Sequence, residues 1–329
     1  MSDFMTPNEE WVEPEPRHPD PLIGTSSKLL AAKELARTIA RTEIPVLILG
    51  DTGTGKELLA QYIHDRSGRR GHLVDVDCGA LPDDLMEALL FGHKRGAFTG
   101  AVANARGLIV EAHNGTLFLD ELGSLRERGQ AKLLRVLETG EVRRVGEAQS
   151  RRVDFRVVAT AQESIAGRIQ SGAFREDLVQ RVAGVVIRLP SLADRVEDIP
   201  LLAKSFAERK GAQITPDATA FLAEQRWPGN VRQLKWTVSR CALFAPGGRI
   251  DTAAVRAAME SGPRSFGSSV VDASEESVAE LKAMCRHHRG DADRIAESMG
   301  IGRSTLYRRL KDAGLSLRTF KRRAGMAGG

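Results

Sequence analysis

The loop at residues 50–56 restricts the fold of this 329-residue chain more than any other stretch. It reads GDTGTGK, which fits the pattern GxxxxGK, and it lies between an apolar run at 45–49 and an amphipathic run at 57–67. A strand, loop and helix in this order can direct backbone amides at a phosphate, and the lysine reaches the outer phosphates. We therefore predict a phosphate-binding α/β domain rather than a glycine-rich turn without a ligand. The predicted contact residues are Gly50, Asp51, Thr52, Gly53, Thr54, Gly55, Lys56 and Glu57.

Asp120 and Glu121 end a second apolar run, TLFLDE at residues 116–121. Two acids at the end of a strand are often only surface groups, but a phosphate loop upstream favours a catalytic pair. Asp120 can hold a magnesium ion, and Glu121 can polarise the attacking water. The chain is therefore predicted to bind a nucleoside triphosphate with Mg²⁺ and to hydrolyse it.

Further apolar runs at 73–76, 154–160 and 185–189 alternate with amphipathic segments. This alternation predicts a parallel sheet between layers of helices, because parallel strands are joined by helical crossovers. The predicted fold is thus an α/β three-layer sandwich of the kind that surrounds a phosphate loop.

From residue 191 the strand pattern ends and amphipathic helices follow. This region contains WPGNVRQL at 227–234, where Asn230 can cap a helix and Arg232 can reach back to a phosphate. The predicted divisions of the chain are a flexible acidic arm at 1–20, the α/β domain at 21–190, a helical domain at 191–260, a linker at 261–274 and a helix-turn-helix domain at 275–323.

The segment at 96–101 places one large apolar side chain, Phe98, in polar and glycine-rich surroundings. Glycines loosen the backbone there, so Phe98 and Thr99 can stand at a mobile loop tip and touch a partner. Alternatively, the segment is a tight turn whose Phe98 folds back onto the protein, and the residue types leave both interpretations open. The segment consists of Gly96, Ala97, Phe98, Thr99, Gly100 and Ala101.

Three short helices are predicted at the C-terminal end, at 275–288, 291–299 and 303–311, with a tight turn around Ile301. Residues 301–323 carry eight Lys or Arg against Asp312 alone. Such a charge run is usually a solvated face, but a helix-turn-helix would present it to DNA phosphates and base edges. The predicted DNA-binding residues are Arg303, Ser304, Thr305, Tyr307, Arg308 and Arg309.

Composition excludes several other classes of protein. No apolar run approaches the length of a membrane span, and residues 1–20 are acidic and rich in proline, unlike a secretory signal. The three cysteines lie far apart without CxxC spacing, so neither a disulfide framework nor zinc is indicated. We expect a cytoplasmic protein without a membrane partner.

Together these motifs resemble the bacterial enhancer-binding proteins, AAA+ ATPases that activate transcription by RNA polymerase carrying the sigma-54 factor. The resemblance covers residues 22–320. GDTGTGKE is similar to the family's Walker A segment, including the glutamate, and TLFLDE is similar to its Walker B segment. GAFTGA is the family's signature and, by this resemblance, the loop that contacts sigma-54. The C-terminal helices resemble a Fis-type DNA-binding domain.

The resemblance implies further roles. FREDLVQR at 174–181 is similar to the segment that bears arginine fingers, so Arg175 and Arg181 would reach the ATP of a neighbouring subunit. Surface salt bridges with Glu176 and Asp177 account for them equally well from the sequence alone. Arg232 would sense nucleotide, and the predicted nucleotide-binding set also includes Ile23.

Two positions depart from the family pattern. Asp77 stands where the family has an asparagine that can hold the catalytic glutamate, and two carboxylates repel each other. Gln162 stands where the family's sensor has an asparagine. Whether both positions still couple the nucleotide to the 96–101 segment is left open by the sequence.

The resemblance implies an activator that binds upstream enhancer DNA, forms a ring, expected to be a hexamer, and uses ATP hydrolysis on the sigma-54 polymerase. A hetero-oligomer with a related subunit is a variant of this prediction. Because residues 1–20 leave no room for a sensory domain, control is expected from expression level or from a separate inhibitory protein. Two alternatives remain: a DNA-binding regulator of ordinary polymerase whose ATPase is vestigial or regulatory, and an AAA+ remodeller of another protein.

Overall fold

The computed structural model describes residues 20–80 and 83–261, together with 281, 284, 285, 288, 291–298, 310 and 315. The chain divides into two compact units, Met1–Ser261 and Gly262–Gly329. In the first unit the described strands are β1 (Val46–Leu49), β2 (Leu73–Asp77), β3 (Gly92–His93), β4 (Ala105–Arg106), β5 (Gly115–Asp120), β6 (Glu141–Val142), β7 (Arg151–Arg152), β8 (Phe155–Ala161), β9 (Val185–Arg188), β10 (Gln213–Ile214) and β11 (Arg249–Ile250).

The α-helices of this unit alternate with the longer strands and then continue alone. They are α1 (Ser27–Ile39), α2 (Lys56–Arg66), α3 (Asp83–Phe91), α4 (Leu108–Glu111), α5 (Glu127–Thr139), α6 (Ile165–Gln170), α7 (Glu176–Val182), α8 (Ile199–Glu208), α9 (Pro216–Ala223), α10 (Asn230–Cys241) and α11 (Thr252–Glu260). Short 3₁₀ helices lie at Leu122–Ser124, Leu192–Asp198, Ala242–Phe244 and Pro246–Gly248.

Five strands form one parallel sheet in the order β2-β5-β8-β1-β9. Because side chains alternate along a strand, Val46 and Ile48 of the central strand β1 pack with α1 and α2, whereas Leu47 and Leu49 pack with α3, α5 and α7 on the other face. Both faces are therefore covered by helices. This confirms the predicted α/β sandwich with a parallel sheet.

The helical region after the sheet has its own apolar core, in which Leu202, Phe206, Leu222, Leu234 and Val255 are buried. The 3₁₀ helix Leu192–Asp198 leads from β9 into this region. The region also contains one short parallel pair, β10 with β11, which the helical sequence pattern did not predict. We call residues 191–260 the helical domain.

Two small antiparallel hairpins were also absent from the sequence prediction. β3 pairs with β4 and encloses residues 96–101, and β6 pairs with β7. The hairpins meet where Val145 accepts a hydrogen bond from the Lys94 amide at 3.0 Å and donates one to the Gly92 carbonyl at 2.9 Å. Each strand has only two residues, too short to show an alternating pattern.

In the second unit, the described residues include a helix, α12 (Ala292–Ser298), within the predicted second helix. Leu281, Cys285, Ala292, Ile295 and Leu310 are buried together. The predicted DNA-binding residues Arg303, Ser304, Thr305, Tyr307, Arg308 and Arg309 lie outside the described residues. No helix in the described part of either unit has the length and apolar character needed to cross a membrane.

Candidate functional site

The phosphate loop lies between β1 and α2, at the carboxyl end of the parallel sheet. Gly50, Gly53 and Gly55 have φ values of 157°, 80° and 106°, a region that side-chain-bearing residues rarely adopt. The Lys56 Nζ donates hydrogen bonds to the carbonyl oxygens of Gly50 at 2.8 Å and Asp51 at 3.0 Å. The glycines therefore allow the loop to curl around the lysine head, as a phosphate cradle requires.

Lys56 is only 8% exposed, and this burial lowers the pKa of its ammonium group below the ordinary value of 10.5. The negative charges of Asp120 and Glu121 partly offset that effect. A cation buried in this way is poorly hydrated, so an incoming phosphate would meet little competition from water.

The two acids at the end of β5 are held by a residue that the sequence analysis missed. The Thr160 hydroxyl on β8 donates a hydrogen bond to Asp120 Oδ1 and accepts one from the Glu121 amide at 2.9 Å. Glu121 has φ 50° and ends the strand, so its backbone turns away from the sheet. Because Thr160 lies on the neighbouring strand, only the strand order reveals the contact.

A cavity of about 340 Å³ opens between the phosphate loop and the helical domain, a size suited to a small organic ligand. The predicted residues that line it are Ile23, Thr52, Gly53, Thr54, Gly55, Lys56, Glu57, Asp120, Glu121 and Arg232. The lining residues that sequence analysis missed are Pro21, Leu22, Leu58, Arg195, Leu202, Phe206, Arg209, Val231 and Lys235. The cavity thus combines an apolar portion, several cations and three acids, Glu57, Asp120 and Glu121. This set of groups fits a magnesium nucleotide, with Asp120 as the metal-side oxygen donor.

The helical domain contacts the phosphate loop through three hydrogen bonds. Arg195 Nη2 donates to the Thr54 carbonyl at 2.7 Å, Asn230 Nδ2 to the Thr52 carbonyl at 3.0 Å, and the Arg232 amide to the Gly53 carbonyl at 3.3 Å. The prediction that Asn230 caps a helix is wrong. Its Oδ1 accepts from the Leu192 amide at 2.7 Å, and its backbone has φ 51°. Asn230 therefore bridges two regions instead of capping α10.

Asp77 and Gln162 lie at the ends of β2 and β8. Asp77 Oδ1 accepts hydrogen bonds from the amides of Gly79 at 2.8 Å and Ala80 at 3.1 Å. Within the described part of the chain, no hydrogen bond joins Asp77 to Glu121. The Gln162 Nε2 lies 3.4 Å from the Thr52 hydroxyl of the phosphate loop.

Arg175 and Arg181 do not line this cavity. Arg175 forms a bidentate pair with Asp177, at 3.0 Å and 2.6 Å, and this hydrogen bonding raises the pKa of Arg175. The guanidinium of Arg181 donates to the Leu137 carbonyl near the end of α5, at 3.0 Å and 2.8 Å. Within one chain, both arginines are thus engaged away from the nucleotide cavity.

The 96–101 segment forms a closed turn between β3 and β4. The Gly96 amide donates to the Ala101 carbonyl at 2.8 Å, and Gly96 and Gly100 have φ values of 79° and 101°. The Phe98 ring meets the His93 ring edge to face, with centroids 5.0 Å apart, and Phe98 remains 37% exposed. The ring thus rests on the hairpin, as the turn interpretation predicts, and it also reaches solvent, so its contact with a partner stays a prediction.

Comparison with known proteins agrees with this geometry. Residues 22–188 match the model of the Sigma-54 interaction domain, and residues 193–269 match that of the AAA+ ATPase lid domain. The chain is 39% identical to the C4-dicarboxylate transport transcriptional regulatory protein DctD of Rhizobium meliloti (strain 1021), over 93% of this chain and 67% of that protein. It is 36% identical to the transcriptional regulatory protein GlrR of Escherichia coli (strain K12), over 95% of this chain and 71% of that protein.

Among solved structures, NtrX from Brucella abortus in complex with ATP has a TM-score of 0.66 and 32% identity, over 90% of this chain and 69% of that chain. The RuvB motor of Thermotoga maritima, with a TM-score of 0.51 and 20% identity, shares the fold. The family match spans the phosphate loop, the acid pair and the 96–101 segment. The chain therefore belongs to the family of AAA+ transcription regulators that carry a sigma-54 interaction domain.

Proposed function

We propose that this protein activates transcription by using ATP hydrolysis to remodel the closed complex of RNA polymerase with sigma-54. The observation that carries the proposal is that the α/β domain holds the phosphate loop, the acid pair and the hairpin with the 96–101 segment. That same domain is the part of the chain that matches the Sigma-54 interaction domain. Nucleotide chemistry and a partner contact are thus built into one fold.

Within the cavity, the phosphate loop and Lys56 would bind the phosphates, and Asp120 would hold magnesium. Glu121, whose turn away from β5 frees it from the sheet, would polarise the attacking water. Gln162 and Arg232 touch the phosphate loop and would sense the state of the nucleotide. Bound Mg²⁺ would supply charge stabilisation to the departing phosphates.

The arginine fingers would act between subunits. Because Arg175 and Arg181 do not line the cavity of their own chain, they would serve the cavity of a neighbour in a ring, which we take to be a hexamer. Arg175 would have to leave Asp177 to do so, and this exposed pair is weak enough to exchange. A ring that includes a related subunit is an equally workable assembly.

The C-terminal unit would bind enhancer DNA, because basic and polar side chains suit phosphates and base edges. The residues proposed for this contact are Arg303, Ser304, Thr305, Tyr307, Arg308 and Arg309. Regulation would come from expression level or a separate inhibitory protein. The protein would act in the bacterial cytoplasm, where its polymerase partner is found.

The test is transcription from a sigma-54 promoter with purified components. Thr99→Ala should keep ATP hydrolysis and lose activation, because the change lies outside the nucleotide cavity. Glu121→Gln should bind ATP and hydrolyse it at least about a hundredfold more slowly, because a general base contributes that much or more. Val102→Ala, next to the segment and 83% exposed, is the matched control and should retain both activities.

Full activation by Thr99→Ala would refute the role of the segment, and full turnover by Glu121→Gln would refute the role of the base. Activation supported by a non-hydrolysable ATP analogue would instead favour a DNA-binding regulator that needs no hydrolysis.

A further inference from the structure

Asp198 is a fully buried carboxylate at the end of the 3₁₀ helix Leu192–Asp198, and its relative exposure is 0%. It accepts hydrogen bonds from the Thr25 amide at 2.6 Å, the Ser26 amide at 2.9 Å and the Ser26 hydroxyl at 2.8 Å. Among the described residues, no Lys, Arg or His forms an ion pair with it. Its charge is therefore stabilised by hydrogen bonds from the chain segment just before α1 and by electrostatic attraction to the buried Arg195.

We call residues 20–26 the N-terminal strap. Lys33 holds its other end, because the ammonium group pairs with Asp20 and donates to the Leu22 carbonyl at 3.2 Å. Between these two attachments, Leu22 and Ile23 line the nucleotide cavity. Leu22 belongs to the apolar core of the α/β domain, and Ile23 packs against the core of the helical domain. The strap thus crosses from one domain to the other at the cavity wall.

The fit between Asp198 and the strap leaves no space. Gly24 has φ 152°, and a Cβ at this position would lie 2.5 Å from Asp198 Oδ2. The carboxylate therefore rests directly against the strap backbone. A change in its position would move Gly24, the residue that directly follows Leu22 and Ile23.

The same 3₁₀ helix also carries Arg195, which donates to the Thr54 carbonyl of the phosphate loop at 2.7 Å. This short segment, which is kinked at Arg195 (φ −143°, ψ 50°), thus sets two parts of the cavity, with Arg195 on the phosphate side and Asp198 on the strap. The strap supplies Leu22 and Ile23, and the helical domain supplies Leu202, Phe206 and Val231, to the apolar portion of the lining. A flat nucleobase suits such surroundings better than a phosphate does.

We infer that Asp198 is a positioning residue that fixes the strap as the wall of the base-binding portion of the cavity, and so sets affinity for the nucleoside but not for the phosphates. The inference rests on the proposed binding of ATP and adds a residue that acts through Leu22 and Ile23. A purely structural role, as an external cap for α1, would affect all ligands of the cavity alike.

The experiment measures dissociation constants of the full chain for ATP, ADP and inorganic tripolyphosphate by calorimetry. Asp198→Ala should raise the constants for ATP and ADP at least about tenfold and change that for tripolyphosphate less than about twofold, because hydrogen bonds to a charged group that hold only the base wall are lost. In steady state, KM for ATP should rise while kcat stays within about twofold.

Two further variants keep the test decisive if Asp198→Ala folds poorly. Asp198→Asn retains an oxygen for the Thr25 and Ser26 amides, so its constant for ATP should rise only about threefold. Asp194→Ala is the matched control on the same 3₁₀ helix, because Asp194 also binds α1, through Lys28 at 2.8 Å, but is exposed. It should leave every constant unchanged.

The inference would be overturned if the Asp198 variants left the ratio of the dissociation constants for ATP and tripolyphosphate unchanged, whether both ligands bind more weakly by the same factor or neither does. A wild-type chain that binds no ATP would overturn the proposed function itself. The two failures are distinguishable because the wild-type measurement comes first.

Discussion

Replacing Gly53 by alanine tests whether the helical domain is seated directly on the phosphate loop. Gly53 has φ 80°, and a Cβ there would lie 2.4 Å from the Gly229 carbonyl oxygen and 3.0 Å from the Arg232 Cβ. The nearest obstacle is backbone, so the helical domain has to move away. That movement breaks the hydrogen bonds from Arg232 to Gly53 and from Asn230 to Thr52.

The magnitude follows from two contributions. Placing alanine in the left-handed region costs about 1–2 kcal/mol, and the reduced freedom of the unfolded chain offsets about 0.4–1 kcal/mol of this. Loss of the two hydrogen bonds adds about 1 kcal/mol each. We expect Gly53→Ala to lower the free energy of unfolding by about 3 kcal/mol, which leaves a typical domain folded.

Two matched variants isolate the strain. Gly172→Ala has φ 72° and open space around its Cβ, and Gly55→Ala has φ 106° with its nearest neighbour, the Leu22 side chain, at 3.5 Å. Each should cost only about 1 kcal/mol, because strain is their whole effect. Urea unfolding followed by circular dichroism, and by the fluorescence of the buried Trp227, measures all three variants. Equal destabilisation by Gly53→Ala and Gly55→Ala would refute the proposed seating of the helical domain.

Two further predictions concern charge in the site. Burial lowers the pKa of Lys56 in the folded protein below the ordinary value of 10.5. At pH values between this lowered pKa and 10.5, the unfolded chain binds more protons than the folded one. The free energy of unfolding of the ligand-free protein should therefore rise with pH in this range. Lys56→Met should abolish this rise in unfolding measurements taken across the window, and identical slopes in both proteins would contradict the account. Asp77→Asn should slow ATP hydrolysis by at least about threefold, because asparagine keeps an oxygen for Gly79 and Ala80 and adds an amide donor that can hold Glu121 away from the attacking water. Asp75→Asn on the same strand is the control, and unchanged turnover by Asp77→Asn would contradict the prediction.

The sequence predicted those parts of the site whose residues are neighbours in the chain. The phosphate loop is one uninterrupted motif, and Asp120 with Glu121 closes one apolar run, so local pattern suffices for both. The alternation of strand and helix likewise predicted the parallel sheet, since that alternation leaves few other folds. The predicted strand at 116–121 lies one residue too far along the chain compared with β5, Gly115–Asp120, and its end was missed because the φ of 50° at Glu121 is not visible in residue types.

The sequence did not predict contacts between residues that lie far apart in the chain. Thr160 reaches Asp120 only because β8 lies beside β5, and Arg195 meets the phosphate loop across 141 positions of the chain. Asp198 lies 172 positions from Ser26, and no motif in its own stretch of sequence indicates this contact. The Asn230 cap was wrong for the same reason, because its partners Thr52 and Leu192 come from other elements.

The sequence by itself determined the chemistry that this protein carries, because glycine freedom, a lysine and paired acids act over a few consecutive residues. Only the tertiary structure decided how that chemistry is enclosed. The burial of Lys56, the seat of the helical domain on Gly53, the strap held by Asp198 and the half-exposed Phe98 all depend on which elements pack together. Such packing energies belong to pairs of distant segments, and no single stretch of sequence contains both members of a pair.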